Sequence, residues 1–421
     1  MHHPKRIIIC CDGTWNEPDI DPTNVVKLVR CIQPTAADGT QQVVFYNQGV
    51  GTGSKVDRMV GGALGKGVAK NVRDCYRFLV HNYEDQDEIY CFGFSRGAYT
   101  ARAFAGLVSA IGIMNKSGLE ELPKAYQYYR TPPDERPNAI YDQNPRPDIR
   151  MIGVWDTVGA LGAPTPLLGR LTTPWVGFFD THLSPIVKHA YHALALDERR
   201  AAFSPDLWTG IPTDDQVIEQ CWFRGAHSDV GGGYKETGLS DIALLWMVEK
   251  AEALGLEFDH RYLDRLTEPN PVMASHDSYS TLYRLMGLIG PGEERRYLRG
   301  SREERPINVT VHESVMAAID AGTYKPRNPD FPVPQIAGAE RRDRERFDPR
   351  GVVAFIKRPA DAAPVPCTMV DFSMSGIRIE TDQPLHPGDS VIVRSDLFDA
   401  SHAICVWEMG RQHGLRFADA A

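Results

Sequence analysis

The sequence predicts an α/β protein in which a mainly parallel sheet carries helices on both faces and is followed by a small β-barrel. Over the first two-thirds of the chain, β-rich apolar runs alternate with helical apolar patterns, which is typical of a parallel sheet. Beyond residue 341, short alternating runs follow one another closely, which is typical of a barrel. The chain of 421 residues also exceeds the usual size of one hydrophobic core, so we expect two domains.

The elements of the sheet domain follow from the periodicity of apolar residues. Apolar runs predict strands over residues 6–11, 42–46, 88–92, 150–155 and 217–223. Helical spacing predicts helices over residues 24–31, 65–83, 98–111, 239–254 and 315–321. In open α/β sheets the loops after the carboxyl ends of the strands build the site, so we expect the chemistry there.

A change of composition separates the two domains. Residues 325–338 contain four prolines, at positions 326, 329, 332 and 334, which break both helix and strand patterns. They predict a stiff, extended linker. We therefore expect a domain over residues 1–325, a linker over 326–340 and a barrel over 341–421, with strands at 367–372, 376–381, 390–393, 403–408 and 414–417.

Composition and charge exclude several classes of protein. The net charge of −9 and the pI near 5.8 argue against a protein that binds DNA or RNA. The apolar stretch near the amino terminus is too short for a signal-peptide core, and no run has the length of a transmembrane segment. Eight cysteines without a C-x-x-C pair indicate reduced thiols, so we expect a cytoplasmic protein. Peripheral contact with a membrane surface stays open.

The chemistry of the chain centres on residues 93–97, Gly-Phe-Ser-Arg-Gly, which lie between a predicted strand and a predicted helix. This order is typical of a nucleophile elbow, in which a sharp turn presents a catalytic serine, here Ser95. Gly93 and Gly97 lack the Cβ atoms that would collide across such a turn. We expect the hydroxyl of Ser95 to be exposed. The alternative is a glycine-rich turn whose serine caps the helix.

A serine nucleophile needs a base oriented by a carboxylate, in the chain order Ser, Asp, His for this fold. Asp156 directly follows the strand at residues 150–155, and His227 follows the strand at residues 217–223 in a glycine-rich loop. We predict these two residues as the acid and the base.

Other acids and bases stay open as alternatives. His312 is the alternative base, and Asp197 and Asp229 are the alternative acids. The spacing of His182, His189 and His192 suggests one face of a helix, with surface or core histidines.

An oxyanion hole needs the backbone N–H of the residue after the nucleophile and a second N–H from a neighbouring strand-end loop. Arg96 supplies the first donor. Gly13 or Thr14, which follow the first predicted strand, supply the second. No metal or other catalytic cofactor is required by this arrangement.

Six segments spread over residues 11–234 resemble an α/β-hydrolase family that includes the phospholipase effectors of type VI secretion systems. They are CDGTWN (11–16), YNQGVGTG (46–53), GFSRGA (93–98), GVWDTVGA (153–160), HALALDERRAAF (192–203) and GAHSDVGGGY (225–234). The resemblance implies an α/β-hydrolase-like fold and an ester hydrolase, with glycerophospholipid as the best-known substrate class. It also places Ser95, Asp156 and His227 at the triad positions of the family.

The carboxy-terminal region resembles PilZ domains, which bind cyclic di-GMP. Residues 342–346 match the R-x-x-x-R motif and residues 371–376 match D-x-S-x-x-G. The resemblance implies ligand contacts from Arg342, Arg346, Asp371, Ser373 and Gly376. Arginine forks suit phosphate oxygens and the guanine edge, and a carboxylate accepts from guanine N–H groups. The alternative is a solvated charge run before an ordinary strand turn.

Together these features predict a serine ester hydrolase, of the lipase or phospholipase kind, regulated or localised by cyclic di-GMP. The alternative is a cyclic di-GMP-responsive adaptor whose hydrolase domain is a binding platform without significant catalysis. A secreted antibacterial lipase is a third possibility, but a domain that senses an intracellular nucleotide fits a resident enzyme better.

Overall fold

A computed structural model of the protein describes two compact units, Met1–Ala337 and Gly338–Ala421. The described residues are 3–13, 21–49, 61–137, 140–158, 182–279, 295–298, 306–328, 331, 336–337, 353–359, 361, 363–373, 376–386, 388–395, 398–409 and 411–417. Ile336 and Ala337 lie within the predicted linker, yet they pair with the sheet of the first unit.

The first unit is built on a parallel sheet. Within the described residues it has eight strands in the order β2-β1-β3-β4-β5-β6-β7-β8, and each strand is parallel to its neighbours. The strands are β1 (Arg6–Cys11), β2 (Gln42–Asn47), β3 (Glu88–Phe94), β4 (Ile149–Trp155), β5 (Val187–Ala195), β6 (Val217–Phe223), β7 (Val309–His312) and β8 (Ile336–Ala337).

Helices cover both faces of this sheet. They are α1 (Asn24–Cys31), α2 (Gly61–Asn82), α3 (Arg96–Ile111), α4 (Leu122–Arg130), α5 (His227–Gly231), α6 (Gly238–Glu252), α7 (His260–Leu266) and α8 (Glu313–Asp320). The predicted fold class, a mainly parallel sheet with helices on both faces, is confirmed.

Strand β1 divides its side chains between two cores, because successive residues of a strand point to opposite faces. Ile7 and Ile9 pack in the core that contains residues of α2 and α3. Ile8 and Cys10 pack in the core that contains residues of α1 and α6. A strand buried on both faces is continuously apolar, which explains why the run at residues 6–11 predicted β1 correctly.

The interpretation of His189 and His192 as residues on a helix face is wrong. Both lie in β5, which pairs with β4 and β6 inside the sheet. Their spacing of three residues is compatible with a helix, but Ala190, Tyr191 and His192 are buried in succession. A segment buried on both faces does not show the one-sided pattern of a surface helix.

The second unit is a closed antiparallel barrel, as predicted. Within the described residues its strands follow the order β10-β11-β14-β13-β12-β9. They are β9 (Val353–Lys357), β10 (Val365–Ser373), β11 (Gly376–Glu380), β12 (Ser390–Ser395), β13 (Phe398–Met409) and β14 (Gln412–Phe417). Alternate residues such as Val391 and Val393 fill its core, while their neighbours face outward.

Within the described part of the chain, no single helix has both the length and the hydropathy to cross a membrane. One sharply bent pair, Arg96–Ile111 with Lys116–Arg130, meets these criteria when the two helices are taken together.

Candidate functional site

Ser95 lies on a strained turn between β3 and α3. Its backbone angles are φ 58° and ψ −121°, a combination that residues with a side chain rarely adopt. A Cβ atom on Gly93 would lie 2.5 Å from the carbonyl oxygen of Gly97. A Cβ atom on Gly97 would lie 2.1 Å from the carbonyl oxygen of Cys11. Both glycines are therefore required for the turn to pass this close to its neighbours.

Ser95 does not serve as a helix cap, although it precedes the first residue of α3. Its side chain makes no capping hydrogen bond. Ser95 as a whole residue is 5% exposed, so most of it is enclosed by its neighbours. The turn is enclosed by both neighbouring strands: Ser95 N donates to Trp155 O at 3.0 Å, and Gly97 lies against the end of β1.

Asp156 is the residue immediately after β4, and its carboxylate is fully buried. Its backbone is also in the left-handed region, with φ 38°. The N–H of Asp156 donates to Ala193 O at 2.7 Å, and its Oδ1 accepts from Ala195 N at 3.0 Å. Hydrogen bonds to the end of β5 thus fix both the backbone and the carboxylate.

His227 is the first residue of α5, directly after the loop that follows β6. Its Nδ1 lies 2.6 Å from Oδ2 of Asp156. Because a carboxylate can only accept, Nδ1 carries the proton and Nε2 is left with its lone pair. Burial lowers the pKa of His227, against the opposing effect of Asp156, so the ring is neutral near pH 7.

The ring of His227 lies beside the turn that carries Ser95. Phe94, the residue before Ser95, packs on His227 with ring centroids 4.6 Å apart, and Phe203 packs on it at 5.0 Å. Phe94 also contacts Gly231 so closely that a Cβ atom there would lie 2.0 Å from its ring. The structure therefore brings the Ser95 turn and the Asp156–His227 pair to one place at the carboxyl ends of the strands.

Arg296 is a member of this site that the sequence reasoning missed. Its Nη1 and Nη2 atoms donate to the two carboxylate oxygens of Asp156 at 2.6 and 3.0 Å. Nη1 also donates to Ala195 O at 2.7 Å, and Nη2 donates to Phe203 O. Burial alone would raise the pKa of Asp156, but the Arg296 guanidinium and the hydrogen bond from His227 hold it well below its usual value. Asp156 is therefore an anion at neutral pH.

Glu198 is a second carboxylate of the site. It accepts from the backbone N–H of His227 at 3.2 Å and from Nε and Nη2 of Arg200, each at 2.8 Å. Burial would raise its pKa, but bonding to Arg200 lowers the pKa of Glu198 to about 2. It holds the backbone of the histidine, whereas Asp156 holds the ring.

The alternative acids and base have other partners. Asp229 accepts from Ala226 N at 2.9 Å and lies 2.6 Å from Nδ1 of His276. Asp197 accepts from Gly225 N and from the hydroxyl of Tyr324, each at 2.8 Å. His312 caps α8 through Ser314 N and stacks on Phe223, and burial lowers its pKa to about 4. These contacts stabilise the loops around the site.

The structure describes two of the three predicted oxyanion donors, Arg96 and Gly13. Arg96 is the first residue of α3 and directly follows Ser95. The N–H of Gly13 donates to Oδ1 of Asp12 at 2.7 Å, and the same carboxylate accepts from Thr23 and from Tyr46. Thr14 lies outside the described residues.

The predicted nucleotide contacts fall partly within the barrel that the structure describes. Asp371 and Ser373 are in β10, and Gly376 begins β11 opposite Ser373. The D-x-S-x-x-G motif therefore spans the turn between these strands. Arg342 and Arg346 lie outside the described residues. Across the described residues, no group of three or more His, Cys, Asp or Glu side chains has the arrangement of a metal site.

Two family models match this chain. Residues 5–250 match the model described as type VI secretion phospholipase effector Tle1-like, catalytic domain. Residues 340–418 match the model of the PilZ domain.

Individual relatives match over shorter shares of their length. An uncharacterised protein of Saccharomyces cerevisiae is 31% identical, over 49% of this chain and 33% of that protein. The solved structure of the Tle1 effector bound to the VgrG spike of the type 6 secretion system is 21% identical with a TM-score of 0.35, over 55% of this chain and 51% of that chain. The PilZ domain of YcgR from Escherichia coli with c-di-GMP is 15% identical with a TM-score of 0.17, over 20% of this chain and 81% of that chain. The chain thus spans about a third of the yeast relative and about half of the Tle1 effector.

Proposed function

Because the chain belongs to the Tle1-like phospholipase effector family of catalytic domains and carries a carboxy-terminal PilZ domain, we propose that it is a serine ester hydrolase acting on glycerophospholipids and regulated or localised by cyclic di-GMP. One observation carries the proposal. The strained backbone of Ser95, at φ 58°, lies beside an Asp156–His227 pair whose side chains are 2.6 Å apart. Strain of this kind persists where the surroundings enforce it, and it clusters at active sites.

The chemistry follows from the three side chains. His227 Nε2 takes the proton of the Ser95 hydroxyl as Oγ attacks the ester carbonyl, and Asp156 stabilises the imidazolium that forms. The proton then passes to the leaving alcohol, which leaves an acyl group on Ser95. Water, activated by the same base, hydrolyses that acyl ester. A positioned base of this type contributes roughly 10²- to 10⁴-fold to the rate.

The oxyanion that forms on the carbonyl needs backbone donors. We assign the N–H of Arg96 to this role, together with an N–H from Gly13 or Thr14. Use of Gly13 requires its N–H to leave the carboxylate of Asp12, to which it now donates at 2.7 Å.

We assign cyclic di-GMP to the barrel. The match of residues 340–418 to the PilZ domain supports this assignment, with Arg342, Arg346, Asp371, Ser373 and Gly376 as the contacts. We also infer that the protein works in the cytoplasm, where this nucleotide signals. All eight cysteines are free and buried, which is compatible with a reducing compartment.

A panel of lipids and simple esters tests the function directly. Wild-type protein should hydrolyse phospholipid, and Ser95→Ala should lose at least about 10³-fold in rate on every substrate. If neither protein hydrolyses any ester while cyclic di-GMP still binds, the adaptor alternative is favoured.

A further inference from the structure

A cavity of about 400 Å³ lies beside His227, within the first unit. It is lined by residues of the loop after β5, by Arg224 after β6, and by the segments around residues 275–277 and 323–328. Its size is in the range of small-molecule sites, which are usually about 300–1,000 Å³.

This cavity adjoins the candidate catalytic site through shared residues. Glu198, which lines it, accepts from the backbone N–H of His227 at 3.2 Å. Arg295, which also lines it, directly precedes the Arg296 that binds Asp156. The cavity and the candidate catalytic site are therefore neighbours within the first unit.

The lining is positively charged. Arg224, Arg295, Lys325 and Arg327 contribute four cations, and none of these side chains is in an ion pair with a described residue. The acidic residues of the lining have their own partners. Asp277 pairs with Arg199, and Glu198 pairs with Arg200. Asp197 accepts from Tyr324 and from Gly225, and burial raises its pKa.

Arg224 gives the cavity a fixed donor. It is 6% exposed, its Nη1 donates to Pro271 O at 2.8 Å, and its guanidinium lies over the ring of Tyr324 at 4.9 Å. Its Nε is buried and has no hydrogen-bond partner. Unsatisfied buried donors are rare, and those of a charged group cost more than those of a neutral one. The guanidinium lies at the cavity wall without an ion-pair partner among the described residues, and an anionic ligand in the cavity would supply that counter-charge.

We propose that this cavity is an anion site that takes a phosphate group. Guanidinium forks match phosphate oxygens in geometry and charge, and Lys325 adds a mobile charge at the rim. The assignment of that phosphate to the head group of a lipid substrate rests on the proposed function, whereas the anion site itself does not. A lipid bound in this way has its phosphate in the cavity and its acyl ester at Ser95.

The test compares full-length wild type with the double variant Arg327→Gln, Lys325→Gln. Both side chains are exposed, and the contact that Arg327 makes with Arg295 uses its backbone carbonyl, so the fold should be retained. Arg261→Gln, on the exposed side of α7, is the matched control. Calorimetric titration with inorganic phosphate and with glycerol 3-phosphate should show binding to wild type and to the control, and about tenfold weaker binding or more to the double variant. No binding to wild type, or equal binding to all three proteins, would overturn the proposal.

Activity identifies the source of the phosphate. If the phosphate belongs to the substrate, the double variant should lose about tenfold or more in kcat/KM on phospholipid and keep its rate on diacylglycerol and p-nitrophenyl butyrate. If phosphate binding weakens while phospholipid hydrolysis is unchanged, the anion site is retained and serves free phosphate. If wild type binds phosphate and hydrolyses no ester, the proposed function fails and the anion site stands.

Discussion

The Arg296 guanidinium donates hydrogen bonds to both carboxylate oxygens of Asp156, at 2.6 and 3.0 Å, while His227 Nδ1 lies 2.6 Å from one of these oxygens. The carboxylate therefore has a fixed orientation and stays ionised in a fully buried position. The positive charge of Arg296 also weakens the negative potential that the Asp156 carboxylate exerts at His227. Arg296 therefore fixes the orientation of the carboxylate but reduces how strongly the carboxylate activates the base.

We expect Arg296→Gln to lower kcat/KM on p-nitrophenyl butyrate by about 10- to 100-fold, because the carboxylate loses its orientation. Arg296→Lys should recover part of that loss, since one ammonium restores the charge but not the two-point contact. The neighbouring Arg295→Gln is the control and should keep the rate on this neutral ester. Equal rates for Arg296→Gln and wild type would contradict a positioning role.

We expect the backbone of Ser95 to lower the stability of the protein. The free energy of unfolding of Ser95→Gly should be about 1 kcal/mol higher than that of Ser95→Ala, because glycine adopts φ 58° without a steric penalty. Both variants lack the nucleophile, so chemical denaturation compares them without any contribution from catalysis. A Ser95→Ala protein that is as stable as Ser95→Gly would show that the turn is not strained.

We expect Gly97→Ala to destabilise the protein by about 3 kcal/mol or to prevent folding, because the new Cβ would lie 2.1 Å from Cys11 O. Gly39→Ala is the matched control: its φ is 85°, but nothing lies within 4 Å of the added Cβ. It should cost only about 1 kcal/mol, from backbone strain alone. Similar losses in urea unfolding for both variants would argue against close packing at the turn.

We expect activity to depend on a group whose pKa lies below 6.5. Burial lowers the pKa of His227, and only its neutral form can accept the serine proton. Activity should therefore be constant at neutral pH and fall tenfold per pH unit once the pH drops below that pKa. The profile of kcat/KM on p-nitrophenyl butyrate measures this, and a midpoint above 6.5 would be incompatible with a buried neutral base.

We expect cyclic di-GMP to change the rate of phospholipid hydrolysis if the barrel regulates the enzyme. Arg346→Ala should remove that response and leave the basal rate unchanged, because it deletes an arginine that we assign to the nucleotide. A ligand shifts the populations of two states only by its differential affinity for them, so the maximal fold-change in rate is a lower limit on the ratio of the two affinities. An equal response in Arg346→Ala and wild type would reject regulation through this site.

Much of the sheet domain can be predicted from the sequence because its signals are local. The continuous apolar run of β1 and the spacing of α1, with Thr23 as a cap that accepts from Val26 N, are each contained in fewer than ten residues. The turn at Ser95 is similar, since its glycines lie two residues to either side. The barrel could be predicted because strands such as β12 alternate buried and exposed residues over a short run.

The parts that were missed depend on contacts between distant segments. Arg296 lies 140 residues from Asp156 in the chain, in a segment without helical or strand periodicity, and no local pattern marks it as a partner. The histidines of β5 were wrongly predicted to lie on a helix. A strand buried on both faces tolerates polar residues that have buried hydrogen-bond partners, and His192 has such a partner because it accepts from Thr157 N. Only the folded sheet shows which residues these are.

The convergence of Ser95 with the Asp156–His227 pair is tested most directly by fluorophosphonate labelling of folded full-length protein, followed by mass spectrometry of the labelled peptide. We expect one label, on Ser95, that forms at least about 10²-fold more slowly in His227→Gln and is absent in Ser95→Ala. A label on another residue, or labelling of Ser95 at the same rate in His227→Gln, would contradict the proposed triad.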